Sequence, residues 1–214
     1  LKHGLIVVCM AKPLAHTPGS SMHIHQSLVE MGNGRNVFSD DAGQPTAMFR
    51  HFIGGLQAGL ADFTALFAPN VNSYQRLCHP YASPNNACWS HDNRAAGLRI
   101  PASSPVARRV ENRLPGADAN PYLAIAASLA AGLHGIENEL EPTAAIQGEF
   151  EVPDNLSLPC TLHAALERLK RSQLARELFG NEFIEGYIAS KTMELTSFFD
   201  EITPWERRVL AAQA

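Results

Sequence analysis

Apolar residues recur along this chain in three rhythms, each predicting a different element. A continuous run rich in β-branched residues, Leu5-Ile-Val-Val-Cys-Met10, reads as a buried strand that Lys12-Pro13 and Pro18-Gly19-Ser20 break into a loop. Nothing before this run is available to pair with it, so the chain reads as a piece of something larger. From Met22 to Leu28 the pattern alternates instead. An extended backbone there places His23, His25 and Ser27 on one face and Met22, Ile24 and Leu28 on the other. Gly32 to Gly34 and Asp40 to Gly43 read as turns around a short segment, Asn36 to Phe38.

The third rhythm is helical. After Thr46 as N-cap, Met48, Phe49, Phe52, Ile53, Leu56, Leu60, Phe63 and Phe67 recur at helix spacing until Pro69 stops them, predicting one core helix. The stretch Asn70 to Asn93 is rich in Asn, Pro, Ser and His and has little periodicity, so it reads as a long functional loop. Ala96 to Ile100 and Ala107 to Leu114 read as strands around a Pro101 to Pro105 turn. On the second, Arg109, Glu111 and Arg113 share a face opposite Arg108, Val110, Asn112 and Leu114. Asn120-Pro121, a cap followed by proline at the first helical position, opens an Ala- and Leu-rich helix to about Ile136 whose small residues predict close packing.

A polar connection from Glu141 to Pro159 leads to a helix capped by Thr161 and running through Leu178. Another helix spans Glu182 to Phe199, and a short one begins at Pro204-Trp205-Glu206. Strands early and helices late predict an α+β fold, an antiparallel sheet with packed helices.

Composition narrows the function classes. The 214 residues are 45% hydrophobic and 18% charged, enough to bury a substantial core. A net charge of -4 gives no basic field for nucleic acid. No apolar run is long enough to span a bilayer and no signal-peptide pattern is present, which makes a cytoplasmic protein with no membrane partner the expectation. Cys9, Cys78, Cys88 and Cys160 lack zinc or disulfide spacing and read as reduced, mostly buried residues.

His23 and His25 stand about 7 Å apart along a strand that rises about 3.3 Å per residue, so both reach one cavity. By themselves they fit a metal or ligand site, or two satisfied structural histidines. Glu111 between Arg109 and Arg113, preceded by Arg76, Arg94 and Arg99, adds charge to a strand that otherwise looks like core. Unpaired burial of such ions costs several kcal/mol each. They must therefore meet a ligand, a metal, each other or water; an internal salt-bridge ladder or a solvated strand face remains open. A carboxylate beside an imidazole suits Mn²⁺, or Mg²⁺ where oxygen ligands dominate, and guanidinium groups suit the phosphates such cations escort. That combination implies phosphoryl transfer, although neither a Walker A nor a G-x-G-x-x-G sequence occurs.

The same residues carry a family resemblance. Lys12-Pro13 followed by Gly19-Ser20-Ser21-Met22-His23-Ile24-His25-Gln26-Ser27 resembles the ATP-binding signature of the glutamine synthetases. Asn72 to Leu77, Asp92-Asn93-Arg94, Leu98 to Pro101, Arg109 to Arg113 and Ala119 to Leu123 resemble further blocks of that family, in order. The resemblance implies a catalytic-domain fragment over residues 1 to 214, without the family's N-terminal β-grasp domain and upstream metal-ligand strands. It implies His23 and Glu111 as metal ligands, His25 and Ser27 as nucleotide contacts, and Arg94 and Arg99 as phosphate-holding groups. Arg76 and Arg113 would bind glutamate or stabilise a γ-glutamyl phosphate, with Arg76, Arg94 and Arg113 catalytic. ATP, Mg²⁺ or Mn²⁺, glutamate, an amine or ammonia, and a homo-oligomeric ring are implied with them.

Two positions depart from the family. Ala82 in Pro80-Tyr81-Ala82-Ser83-Pro84 stands where glutamine synthetases carry a glutamate that helps bind and deprotonate ammonium, a pattern more like the γ-glutamylpolyamine and γ-glutamylputrescine synthetases. Pro18 stands where an asparagine is common. A non-catalytic nucleotide-binding or structural member of the family is the alternative expectation, supported by Ala82. A His-x-His metallohydrolase is a third, which explains neither the arginines nor the ordered blocks.

Overall fold

The computed structural model describes residues 2 to 78 and 83 to 213. The chain runs β1 (Ile24–Gln26), α1 (Ala47–Leu60), α2 (Thr64–Phe67), α3 (Val71–Leu77), β2 (Trp89–His91), β3 (Leu98–Ile100), β4 (Val110–Asn112) and α4 (Pro121–Glu137). Helices α5 (Leu162–Arg171), α6 (Gln173–Phe179), α7 (Asn181–Phe199) and α8 (Pro204–Leu210) follow. This is the α+β arrangement that the sequence predicts.

One sheet, ordered β1-β4-β3-β2, carries the first half of the chain. Its β1–β4 and β3–β4 pairs are antiparallel, but β2 and β3 run parallel, which departs from the antiparallel expectation. The chain reverses twice between His91 and Leu98, and Asp92 adopts a positive φ of 50° to start the first reversal. Aspartate tolerates that left-handed conformation better than most residues.

Helix α1 begins as expected, with the Thr46 hydroxyl accepting from Phe49 N at 3.2 Å. It ends earlier than the hydrophobic repeat predicts. The Thr64 hydroxyl bonds back to the Leu60 and Ala61 carbonyls, a local interaction that bends helices, and α2 restarts from there. Met48, expected in the core, is exposed. Around α1 the rings of Phe38, Phe49 and Phe52 meet at centroid distances of 5.2 Å. Helix α4 packs along α1 through glycine. A Cβ on Gly55 would lie 2.1 Å from Ala131 O, and one on Gly135 would lie 2.5 Å from Gly55 Cα.

The expected loop from Asn70 to Asn93 contains regular structure. Asn70 and Ser73 form a reciprocal capping box at the start of α3, and residues 89–91 enter the sheet as β2. The helix predicted through Leu178 divides at Ser172. Its hydroxyl accepts from Ala175 N at 3.0 Å and donates to Asp62 Oδ2 at 2.6 Å, so this serine caps α6 instead of continuing α5.

The run Leu5 to Met10 forms no strand and is exposed, with Ile6 at 81% and Val7 at 88%. The sheet is assembled from the four other segments, and β propensity counts only where a ladder and a packing surface receive it. The cysteines also differ from expectation: Cys88 is buried, Cys78 half-buried, and Cys9 and Cys160 exposed. No helix among the described residues is long and apolar enough to cross a membrane.

Candidate functional site

Strand register builds the site. His25 on β1 lies opposite Glu111 on β4, and Glu111 lies opposite Arg99 on β3, so three polar residues form one row across adjacent strands. The alternation seen in the sequence is present in space. Residues 23, 25 and 27 are exposed, whereas Ile24 turns into the core.

Glu111 is the hub. Its side chain is buried, at 3% residue exposure, and one oxygen, Oε1, meets His23 Nδ1 at 3.0 Å and accepts from Arg113 Nη1 at 3.1 Å. The other, Oε2, accepts from Arg99 Nη1 at 2.8 Å. Burial pushes its pKa up, but the Arg99 hydrogen bond and the charges of Arg113, His23 and Arg99 outweigh this and leave it below the usual value. Glu111 is an anion at neutral pH. His23 shifts down as well, through burial first and then the Arg113 charge, against the opposing pull of Glu111. A neutral imidazole keeps a lone pair for a ligand.

Two residues to which the sequence assigned no role hold this row in place. Arg109 Nε donates to His25 Nδ1 at 3.1 Å, which leaves the neutral ring's proton on Nε2, the nitrogen 3.8 Å from Glu111 Oε1. Asp92 Oδ1 accepts from Arg99 Nε at 3.1 Å and also from Nη2. With Nη1 on Glu111, three of the guanidinium's five donors are engaged among the described residues, and the other two can serve a ligand. The signal for Arg109 was its shared strand face with Glu111. Asp92 had none beyond its place in a family block.

Arg76 lies deeper. Only 2% exposed, it donates through Nη1 to Ser21 Oγ at 3.1 Å and through Nη2 to Leu114 O. Burial lowers its pKa to about 10, so it stays protonated at neutral pH. Gly19 makes room for it, because a Cβ there would fall 2.5 Å from Arg76 Cγ. The Nε atoms of Arg76 and Arg113 are buried without a hydrogen-bond partner among the described residues. Orphaned cationic donors beside a row in which one carboxylate meets several cations fit a ligand with acceptor oxygens.

Arg94 and Ser27 stand at the margin. Arg94 is exposed and lines a cleft of 420 Å³ with Asn86, Phe150 and Val152. Ser27 is exposed on the His23 and His25 face. Ala82 lies outside the described residues.

The sequence blocks are clasped together behind the row. Lys12 N donates to Asn72 Oδ1 at 2.8 Å and Asn72 Nδ2 returns a bond to Lys12 O at 3.0 Å. Asp118 Oδ2 accepts from Asn70 Nδ2 at 2.9 Å and Ser73 Oγ at 2.6 Å. Segments far apart in the chain thereby set one surface.

The donor chemistry fits a divalent cation in part. His23 and Glu111 offer one imidazole and one carboxylate, suited to Mg²⁺ or Mn²⁺. No group of three or more His, Cys, Asp or Glu among the described residues comes together to hold a metal. These residues would supply two ligands, and Mg²⁺ commonly takes the rest from water and phosphate oxygens.

Comparison with known proteins adds a family. The model of the glutamine synthetase catalytic domain matches residues 1–210. A glutamate–isopropylamine ligase of Pseudomonas sp. is 40% identical over 210 residues, covering 96% of this chain and 46% of the relative. The γ-glutamylethanolamide synthetase GlnA4 of Streptomyces coelicolor is 40% identical over 207 residues, covering 97% and 44%. The γ-glutamylputrescine synthetase PuuA of Escherichia coli is 38% identical over 205 residues, covering 96% and 43%. The chain spans about half the length of the curated relatives it matches. Its ordered blocks and the family match over nearly its whole length agree: the chain belongs to the glutamine synthetase family, within the part described as its catalytic domain.

Proposed function

We propose that the protein to which this chain belongs is an ATP-dependent ligase that joins the glutamate γ-carboxylate to an amine through a γ-glutamyl phosphate. The observation that carries the reading is Glu111, a buried anion with His23, Arg99 and Arg113 converging on it and cationic donors left over. When bound, Mg²⁺ or Mn²⁺ neutralises phosphate charge and polarises the transferring group. His23 and Glu111 would hold it.

The remaining residues position and neutralise. His25, oriented by Arg109, and Ser27 contact the nucleotide. Arg99, steadied by Asp92 and Glu111, directs its two remaining donors at phosphate oxygens, and Arg94 meets the same charge from the cleft margin. Arg113 and Arg76 offer charge to the glutamate carboxylate and to the acyl phosphate as it forms. Such fixed donors lower the barrier because they need no reorganisation when charge develops. An amine then displaces phosphate.

An amine larger than ammonia is favoured, with a polyamine-type substrate as the specific reading. Ala82 removes a carboxylate where the family places one for ammonium, and the relatives named above act, by their names, on isopropylamine, ethanolamine and putrescine. The functional unit is a homo-oligomeric ring, as the family resemblance implies. The second reading, a non-catalytic nucleotide-binding or structural member of the family, is favoured by the same Ala82.

The test is phosphate release from ATP by the full-length protein with glutamate and Mg²⁺, comparing ammonium, isopropylamine, ethanolamine, putrescine and spermidine. Turnover with one amine identifies the substrate. Nucleotide binding without release for any of them favours the non-catalytic reading. Ala82→Glu should move amine preference toward ammonium, and an unchanged preference removes the argument for a larger amine.

A further inference from the structure

Away from the charged row, two cysteines remote in sequence share one amide. Asn85 Nδ2 donates to Cys160 Sγ at 2.9 Å and to Cys78 Sγ at 3.7 Å. One nitrogen therefore reaches both sulfurs. Cys78 is the C-cap of α3 and half-buried, whereas Cys160 is exposed on the segment that enters α5. The geometry points to a modification site: Cys78 and Cys160 form a dithiol that a hydroperoxide closes to an intramolecular disulfide and a small thiol reopens. This goes beyond the ligase reading and does not depend on it.

The surroundings assign the two roles. Cys160 is the accessible sulfur, and its Sγ accepts from Asn85 Nδ2. In its thiol form it donates to Leu158 O at 3.9 Å. Cys78 is held protonated, its pKa pushed up to about 12 by burial first and then by the neighbouring Cys160. The contributions from Cys160 disappear once it is oxidised, whereas burial, the largest, remains, so Cys78 reacts second.

The chemistry balances with one hydroperoxide. The Cys160 thiolate attacks one peroxide oxygen, the O–O bond breaks, and hydroxide or alkoxide leaves with a sulfenic acid on Cys160. Cys78, giving its proton to solvent, attacks that sulfur. The S–O bond breaks, the S–S bond forms and water leaves. Two electrons pass from the two thiols to the peroxide. A small thiol reverses the step by exchange through a mixed disulfide.

The bond would staple the end of α3, the helix that carries Arg76, to the approach to α5. Closing so long a loop constrains the unfolded chain, so oxidised protein should melt several degrees above reduced protein. The other exposed thiol, Cys9, is removed by Cys9→Ser to exclude cross-linking between molecules.

The experiment treats the full-length Cys9→Ser protein with hydrogen peroxide, alkylates the remaining thiols and maps non-reduced peptides after trypsin and chymotrypsin, which separate Cys78 from Cys88. The expected result is one species linking the Cys78 and Cys160 peptides within a monomer, with two alkylatable thiols lost and both recovered with dithiothreitol. Cys78→Ser should leave a sulfenic acid on Cys160 that dimedone traps. Sulfinic acid on Cys160 with Cys78 alkylated, a link between molecules, or both cysteines alkylated at peroxide levels that oxidise free cysteine would overturn the proposal. The mapping of the protein with both cysteines decides the matter even if the serine variant fails to fold.

Discussion

The two faces of β4 solve the same problem in opposite ways. Glu111 and Asn112 are neighbours, both buried, and both need partners. Asn112 is satisfied by neutral partners: Nδ2 donates to Ser128 Oγ at 3.1 Å, Oδ1 accepts from Leu114 N at 3.1 Å, and the Ser128 hydroxyl donates to Gln26 Oε1. That network is neutral, and its members come from β1, β4 and α4. Glu111 instead gathers cations whose donors are not all used, since Arg113 Nε remains without a partner among the described residues, as does the Nε of Arg76, whose Nη2 is on Leu114 O. A closed network serves to fix structure. An open one with surplus positive charge is arranged for an anion that arrives later.

The sharpest way to break this contrast is Glu111→Gln in the full-length protein. It keeps the shape of the side chain but removes its charge, and metal-dependent ATP turnover should fall by about 10³-fold, in the range of losses from removing one electrostatic group in a preorganised site. Circular dichroism should show an unchanged fold. Turnover near the wild-type rate would remove Glu111 from the machinery.

On the opposite face Asn112→Ala should act on stability alone. Leaving Leu114 N and the Ser128–Gln26 pair incompletely bonded costs about 1–3 kcal/mol, visible as a lower urea midpoint, while turnover per folded molecule stays the same. A loss of turnover matching that of Glu111→Gln would erase the distinction between the faces.

Acid should separate the faces next. His23 has a folded pKa below its ordinary 6.5, so below that pH the unfolded chain binds the proton more readily and stability falls as pH drops toward the folded value. Glu111, also lowered, contributes stability that is fully present above its ordinary 4.5 and lost as pH falls through the lowered value. Both act in the same direction, His23 first. The urea midpoint of His23→Asn should therefore decline less than that of the wild type between pH 7 and 5.5, and parallel declines would count against the His23 shift. Asn112 has no proton to lose and should leave the pH profile unaltered.

The smallest effect is expected at Asp92. Its ion pair with Arg99 is exposed on the aspartate side, and pairs open to solvent contribute about 0–1 kcal/mol. Asp92→Asn should raise the apparent KM for ATP less than about tenfold, with kcat little changed. A collapse of kcat would give Asp92 a larger part than steadying Arg99.

Much of the candidate site was legible because it depends on strand alternation. His23, His25 and Ser27 share a face, and so do Arg109, Glu111 and Arg113, as period-2 spacing requires. Caps at Thr46, Asn120 and Thr161 were equally readable, since a side-chain acceptor before a helix is a local device. What escaped was decided at a distance. Leu5 to Met10 has strand composition, but the sheet is built from other segments. Helix α3 was hidden because Asn70 and Ser73 look like loop residues until their reciprocal bonds are seen, and both also bond to Asp118, far along the chain. Strand direction in β2 and the partners of Arg99 and His25 are products of register, which no single segment encodes.

The glycine seam between α1 and α4 acts as a spacer gauge for the whole site. Gly55 and Gly135 touch so closely that a single methyl group on either would press the helices apart. Helix α4 is coupled through Ser128 to Asn112 and Gln26, which lie one residue from Glu111 and from His25. A change of one hydrogen to one carbon, made in a seam that bears no charge, would therefore be transmitted as a displacement to the strands that set the His25–Glu111 separation.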